Sequence, residues 1–319
     1  MPVLFGHGAF IKLGKEVTWA TGVSTTISNR INDVSLATVQ ERNRKANLSV
    51  PASGMLGEMF DGFLNVEGSI SMPIYYLGQG QILELAFGGS VSTTGSGAPY
   101  THTFNPDISL SSATIEVQRG SGLSNQMEKF VGVKISSISF TCEAGGELTA
   151  SIDWIGKQAD ARAADVTSSF GTGTSVLHFH AGQFTFDGTS YDIRSMNFTL
   201  NNSLERRNVL GSLYTAEQAV GDVRECTFEV TLDTENDTLH TAYLAGTQSD
   251  ATLTFTKPGA AGSGTITFIA TNAIISSYSD PVSGFGRVEQ TVVFTGLADS
   301  SNVGGKIVMI NGDSAGTSN

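Results

Sequence analysis

The sequence predicts an all-β protein with minor α content, built as two tandem domains that each carry one helix. Three observations lead there. Charged residues are only 15% of the 319, while Gly is abundant at 37 and Pro scarce at 7; ordinary globular chains carry about a quarter charged residues. Apolar and hydroxyl-bearing side chains alternate with period two along much of the chain. Only two stretches have a helical period. An apolar content of 39%, with 18 Phe, 7 Tyr and 2 Trp, can fill a core, so the chain is not disordered. The glycines have no three-residue period, so it is not fibrous.

Taken in order, Gly68 to Ile74 alternates Ile70, Met72 and Ile74 against Ser69 and Ser71. Thr114 to Gln118 and Gly132 to Thr141 continue the pattern. Leu148 to Ile155 sets Leu148, Ala150, Ile152 and Trp154 against Thr149, Ser151 and Asp153. Ser195 to Leu200 sets Met196, Phe198 and Leu200 against Ser195, Asn197 and Thr199. Arg224 to Leu232 sets Cys226, Phe228, Val230 and Leu232 against Glu225, Thr227, Glu229 and Thr231. Val288 to Thr295 sets Val288, Gln290, Val292 and Phe294 against Glu289, Thr291 and Val293. One apolar and one hydroxyl-rich face per strand predicts antiparallel sheets with one wet side.

The two predicted helices are Gln79 to Phe87, stopped by Gly88-Gly89, and Glu235 to Ala245, stopped by Gly246. Asp233 or Thr234 is the expected N-cap of the second. Glycine just past the last turn takes the left-handed conformation cheaply. These helices expose a repeat: Glu67–Gly88 aligns without gaps on Glu225–Gly246, an offset of 158, and Trp154-Ile155-Gly156 aligns with Phe294-Thr295-Gly296 at 140. The pattern predicts a duplicated domain, residues 1–162 and 163–319, joined through the small, polar stretch Ala159 to Asp165.

Two segments break the alternation. Residues 37–65 hold clustered charge (Glu41, Arg42, Arg44, Lys45), then the apolar Met55, Leu56, Met59 and Phe60. The stretch reads as too long for a hairpin connection and too apolar for a free linker, so it should pack on its own domain or on a neighbouring subunit. The late strand Lys306 to Ile310 should close its own sheet edge or extend a neighbour's.

Charge narrows the function. Eighteen basic against 30 acidic residues give a net −12, the wrong sign for neutralising phosphates or docking on anionic membranes. A surface that repels DNA stays open. No apolar run approaches the ~20 residues of a spanning helix. The start, Met1 to Gly8, lacks the basic flank of a signal peptide, so a cytoplasmic chain with two free thiols, Cys142 and Cys226, is expected. Asn197-Phe198-Thr199 then carries no glycosylation meaning.

Catalytic chemistry is scarce. His178-Phe179-His180 puts two imidazoles on one strand face, but no third ligand is spaced near them. Gly312-Asp313-Ser314-Ala315-Gly316 matches a nucleophile elbow, but no helix can follow it in the three remaining residues. Gly95-Ser96-Gly97, Gly262-Ser263-Gly264 and Gly284-Phe285-Gly286 lack the lysine and strand–helix frame of a phosphate loop. No enzyme, metal or cofactor is expected.

The opening Phe10 to Gly22 (FIKLGKEVTWATG) resembles the start of double-domain phage tail tube proteins, with Trp19 and Ala20 where those chains usually have Tyr and Gly. Val66-Glu67-Gly68-Ser69-Ile70, Tyr100 to Phe104, Val131 to Phe140 and Phe198 to Glu205 resemble the family in the same order. The resemblance implies two tandem tail-tube domains, β-sandwich or barrel-like, each of two orthogonal antiparallel sheets with one flanking helix. It implies homotrimeric, pseudo-hexameric rings stacked into a tube whose inner sheets join in a barrel. Viral DNA would pass through without specific binding. Tape measure, tail terminator and baseplate or distal tail proteins would be the partners, and no membrane is involved. The expected location is the virion tail, after assembly in the host cytoplasm.

On that reading the lumen candidates are Ser69, Ser71, Ser151, Asp153, Asn197, Thr199, Glu229, Thr231, Glu289 and Thr291. Candidates for contacts between subunits or rings are Glu16, Met55, Leu56, Met59 and Phe60. The rival reading is a β-sandwich adhesin or carbohydrate-binding module. Such modules expose aromatic platforms; only Trp19 and Trp154 are present, and Trp154 reads as core.

Overall fold

The computed structural model describes residues 3–25, 28–44, 59–89, 91–170, 175–257, 264–282 and 284–314. The N-terminal half holds strands β1 (Phe10–Lys15), β2 (Ser28–Asn29), β3 (Asp33–Val34), β4 (Ala37–Arg44) and β5 (Met59–Pro73), then helix α1 (Gly80–Phe87). Strands β6 (Ser92–Thr94), β7 (Tyr100–Phe104), β8 (Ala113–Gln118), β9 (Met127–Glu143), β10 (Thr149–Gly156) and β11 (Gln158–Ala159) follow. The C-terminal half holds β12 (Gly182–Phe186), β13 (Thr189–Tyr191), β14 (Ile193–Asn201), β15 (Leu204–Arg207), β16 (Ala216–Val220) and β17 (Glu225–Asp233), then helix α2 (Thr238–Ala245). Strands β18 (Gln248–Thr256), β19 (Thr265–Ser279), β20 (Glu289–Thr295) and β21 (Gly305–Asn311) complete it. The fold is all-β with minor α, and every strand read from alternation is present.

All the strand pairings are antiparallel. One sheet runs through both halves in the order β3/β4, β5, β10, β9, β14, β17, β20, β19. The halves meet where β9 pairs with β14, Ser137 to Glu143 against Asn201 to Ser195. The long strands β9 and β19 leave this sheet at their first residues. There β9 joins β8, β1 and β2, and β19 joins β18, β12, β21 and β7. The late strand β21 thus stays within its own chain and ties the halves together through β7.

The core lies behind the through-going sheet. Phe140, Phe198, Phe228, Phe268 and Phe294 are fully buried. Phe140 and Phe268 pack across the junction of the halves with ring centroids 4.9 Å apart. Trp154 is buried at 1% exposure. Burying such a ring removes ~150–250 Å² from water, so these side chains dominate the driving force.

Four expectations need correction. Residues 37–44 and 59–65 are strand rather than loop, residues 45–58 lying outside the described residues: β4 and β5 pair from Ala37↔Glu67 out to Arg44↔Met59, forming a ribbon. Both faces of its outer part, residues 38–44 and 59–61, are exposed, so that part carries no one-sided apolar alternation. Helix α2 starts at Thr238 with Asp237 as N-cap, and Asn236 Oδ1 accepts the Thr238 N–H at 3.0 Å; Asp233 remains in β17. The gapless spacing read from sequence fits the positions of the helices but not those of the strands before them. In the sheet, Ile70 and Val230 are counterparts, opposite Ile152 and Val292 respectively, and the turn before α2 is two residues shorter than before α1. Finally, residues 159–165 are docked, with Asp160 N–H on Lys129 O at 2.7 Å and Asp165 Oδ1 accepting from Gln126 N at 2.7 Å.

Candidate functional site

Period-two geometry fixes which side chains share a face. Ser71, Ser151, Ser139, Thr199 and Thr227 form one row straight across five strands. Beside it run Ser69, Asp153, Ser137 and Asn201. On the other side Thr141, Asn197, Glu229 and Val293 form a third row. Ser195, Thr231, Thr291 and Ser279 form a fourth, and Asp233 lies opposite Glu289. All ten residues read from sequence as lumen candidates therefore lie on one face of one sheet. Their role remains an expectation; their coplacement is observed. Ser137, Ser139, Thr141, Thr149 and Asp33 belong to the same face and were not singled out, although Ser137, Ser139 and Thr141 alternate legibly in β9.

The face is held by short polar bonds. Ser137 Oγ donates to Asp153 Oδ2 at 2.6 Å, and Thr141 and Thr149 hydroxyls meet at 3.0 Å. Ser35 and Ser69 hydroxyls meet at 3.0 Å. Arg194 neutralises one end, pairing with Asp233 at 3.0 Å and with Glu289, while Arg287 reaches Asp233 at 3.1 Å. Asp33, Asp153 and Glu229 make no ion pair among the described residues, so no basic side chain offsets these three carboxylates on the face.

The contact candidates divide. Met59 and Phe60 stand on the β4–β5 ribbon, each 56% exposed. Met55 and Leu56 lie outside the described residues. Glu16 is buried within its own chain. Its carboxylate accepts from Ala20 N–H (2.8 Å), Ser112 Oγ (2.6 Å), Thr114 Oγ1 (2.9 Å) and Gly132 N–H (3.0 Å). A carboxylate so occupied is a structural hub and offers little surface to a neighbour.

Sequence reasoning missed the buried junction of the halves. Asn202 Nδ2 donates to Ala86 O and Ile135 O, both at 2.9 Å, and its Oδ1 accepts from Arg224 Nη2 at 2.6 Å. Arg224 also reaches Phe87 O at 3.2 Å and Asp107 O. A lone Asn beside a turn carries no one-dimensional signal for such a clamp. Both cysteines are buried and unpaired. Burial pushes the Cys142 thiol up to about 11 and the Cys226 thiol up to about 12, each helped by the adjacent glutamate, Glu143 or Glu225. Among the described residues no cluster of three or more His, Cys, Asp or Glu is placed to hold a metal ion.

A scan of protein-family models matches the family described as phage tail tube protein over residues 6–296. No curated protein matches the chain. With the β-rich fold, that near-complete match places the chain in the phage tail tube protein family.

Proposed function

We propose that the chain builds a virion tail tube by repeating, between copies, the seam that joins its own halves. One observation carries this reading: β9 and β19 are counterparts, and only β9 has its far edge covered. Ile135, Ser137, Ile138 and Ser139 lie opposite Trp154, Asp153, Ile152 and Ser151. Their counterparts Ile275, Ser277, Tyr278 and Ser279 lie opposite Phe294, Val293, Val292 and Thr291, with the register break at the same place. On its other edge β9 pairs with β14. On that edge of β19, residues 275–279 have no strand partner among the described residues.

The missing partner has a counterpart at the opposite end of the sheet. Ala37 lies opposite Glu67 as Thr199 lies opposite Thr227, so β3 and the start of β4 stand where β14 stands in the second half. Their outer edge is open among the described residues. Unpaired edges recruit strands, and β3–β4 of another copy would cover β19, setting Ala37 opposite Ser279. The neighbouring helix supports this. Leu85 and Ala86 of α1 are buried beside the seam, whereas their α2 counterparts Tyr243 and Leu244 are 38% and 72% exposed.

A head-to-tail seam does not close within a pair, so copies continue into a ring. Eight strands per chain and three chains would give a barrel of 24 strands without edges. Its interior would be the hydroxyl and carboxylate face, repelling phosphate and offering no base readout. The exposed ribbon with Met59 and Phe60 would contact the next ring, and the tape measure, terminator and baseplate or distal tail proteins would meet the tube inside or at its ends. DNA would be conducted to the host without catalysis, cofactor or membrane insertion, after assembly in the host cytoplasm.

The test is an Ala37→Cys, Ser279→Cys double variant, oxidised after assembly and run on a non-reducing gel. A ladder ending in a closed trimer is expected, because opposed residues of antiparallel strands fall within disulfide reach. Tubes visible by negative-stain electron microscopy without cross-links, or equal cross-linking by Thr38→Cys with Ser279→Cys, would overturn the seam.

A further inference from the structure

The stretch His178-Phe179-His180 does not form the strand face its spacing suggests. Phe179–Ala181 is a short 3-10 turn preceded by an extended His178. The turn folds the second imidazole back over the first. The ring centroids are 3.9 Å apart at 59°, and the two Nε2 atoms are 2.7 Å apart.

The protonation of this pair follows from its neighbours. His178 Nδ1 lies 3.3 Å from Val176 O, and a carbonyl only accepts, so Nδ1 carries the proton. In the neutral ring that leaves Nε2 as a lone pair. The proton between the rings therefore belongs to His180 Nε2, which donates to His178 Nε2. An imidazole whose far nitrogen is held by a backbone carbonyl, with its near nitrogen free, is arranged as metal-binding histidines are.

The backbone beneath is fixed. Leu148 N–H donates to Leu177 O at 2.8 Å and Phe179 N–H to Gly146 O at 3.1 Å. Isolated bridges join Val176 to Tyr75 and His178 to Glu147. Both rings thus project from a strap pinned to the turn between β9 and β10. On its other side His180 borders an open pocket of about 270 Å³ whose rim includes Gln183, Ser190 and Asp192. That space can house the waters completing a coordination shell.

We propose that His178 and His180 form a bidentate site for a divalent transition-metal ion that favours imidazole, such as zinc, nickel or copper. Metal–nitrogen bonds of ~2.0–2.1 Å set two nitrogens roughly 2.9 Å apart at square angles and roughly 3.4 Å apart at tetrahedral ones, so the pair, 2.7 Å apart, opens by about 0.2–0.7 Å. Binding forms two Nε2–metal bonds and breaks the Nε2–H···Nε2 bond. The His180 proton moves through water to its own Nδ1, so two neutral rings release no net proton. Solvent supplies the remaining ligands, which makes the site exchangeable rather than structural.

The experiment is calorimetric titration of the full chain with zinc and nickel chloride in a non-chelating buffer. In parallel, the histidine ring nitrogens are followed by ¹⁵N NMR. One ion per chain is expected, with shifts confined to His178 and His180 among the five histidines. His178→Ala and His180→Ala should each weaken binding by roughly tenfold or more, since one imidazole then remains. Three results would overturn the site: no heat and no ring shift up to about 1 mM metal, a millimolar Kd being barely 4 kcal/mol; unchanged affinity in the double variant; or shifts at His7, His102 or His240 instead. The ring shifts are read on the wild-type chain, so a poorly folding variant does not leave the question open.

Discussion

At the scale of single residues, Glu16 organises the N-terminal entry. Four donors converge on its carboxylate, two from backbone and two from hydroxyls. The backbone bends sharply to allow it: Ala20 sits at φ +55° and Gly132 at φ +67°. The left-handed Ala20 occupies the position where resembling chains usually carry Gly, which accounts for that preference. Glu16→Gln turns an NH₂ toward donors, and we expect a loss of about 1–3 kcal/mol in urea unfolding. The thiols give a pH-dependent counterpart. Cys142 and Cys226 are held neutral by burial, at about 11 and about 12 against an ordinary 9.0. Their folded values are raised, so this contribution to stability is complete below pH 9 and lost as pH rises toward 11 and 12. Native protein should resist iodoacetamide at pH 8 and react at both thiols once unfolded. Labelling of the folded chain at pH 8 would contradict the burial.

At the scale of elements, the two halves solve the same packing problem with the same residue type. A glycine follows a large buried ring by two residues in both halves: Trp154 then Gly156, the last residue of β10, and Phe294 then Gly296, just past the end of β20. A Cβ on Gly156 would come within 2.4 Å of Val133 Cγ1, and one on Gly296 within 1.8 Å of Gly304 O. The first neighbour is a side chain and the second is backbone. Gly296→Ala should therefore cost more than Gly156→Ala, about 1–3 kcal/mol, in chemical denaturation. The helices diverge for a different reason. Both are eight residues long, but α1 is buried beside the Asn202–Arg224 clamp while α2 buries only Leu239. Helix α2 stops at Gly246, φ +64°, and leaves Tyr243 and Leu244 exposed, where the proposed seam would cover them.

At the scale of the whole molecule, the sheet runs unbroken from one half into the other and, among the described residues, ends in two open edges. Its polar face carries Asp33, Asp153 and Glu229 without ion pairs among the described residues, on a chain of net charge −12. If this face lines the lumen as proposed, reversing two of them, with Asp153→Lys and Glu229→Lys, should leave particles that assemble but release DNA more slowly, most visibly at low salt, where screening is weak. Genome ejection followed by dye fluorescence measures this. Ejection at the wild-type rate at every salt concentration would remove the electrostatic role from that face.

The sequence by itself determined the two helices and eight of the strand segments, among them those in β5, β9, β10, β14, β17 and β20, with the polar side of each. These are local properties: period two needs only neighbouring residues, and Gly88 and Gly246 stop their helices where they stand. It also carried the family, through short motifs in order. It did not determine that Ser71, Ser151, Ser139 and Thr199 would stand in one row, because register depends on pairing between residues far apart in the chain. It did not reveal the β4–β5 ribbon, whose outer part is exposed on both faces and so lacks the alternation. Nor did it reveal that Glu16 turns inward, since a carboxylate's burial depends on donors supplied by Ser112, Thr114 and Gly132. The two-residue shift between strand and helix counterparts was equally hidden, because a shorter turn leaves both periodicities intact. Only the tertiary structure decided which edges were used within the chain and which were left open. Edge pairing is a contest among all strands at once, and no single segment encodes its outcome.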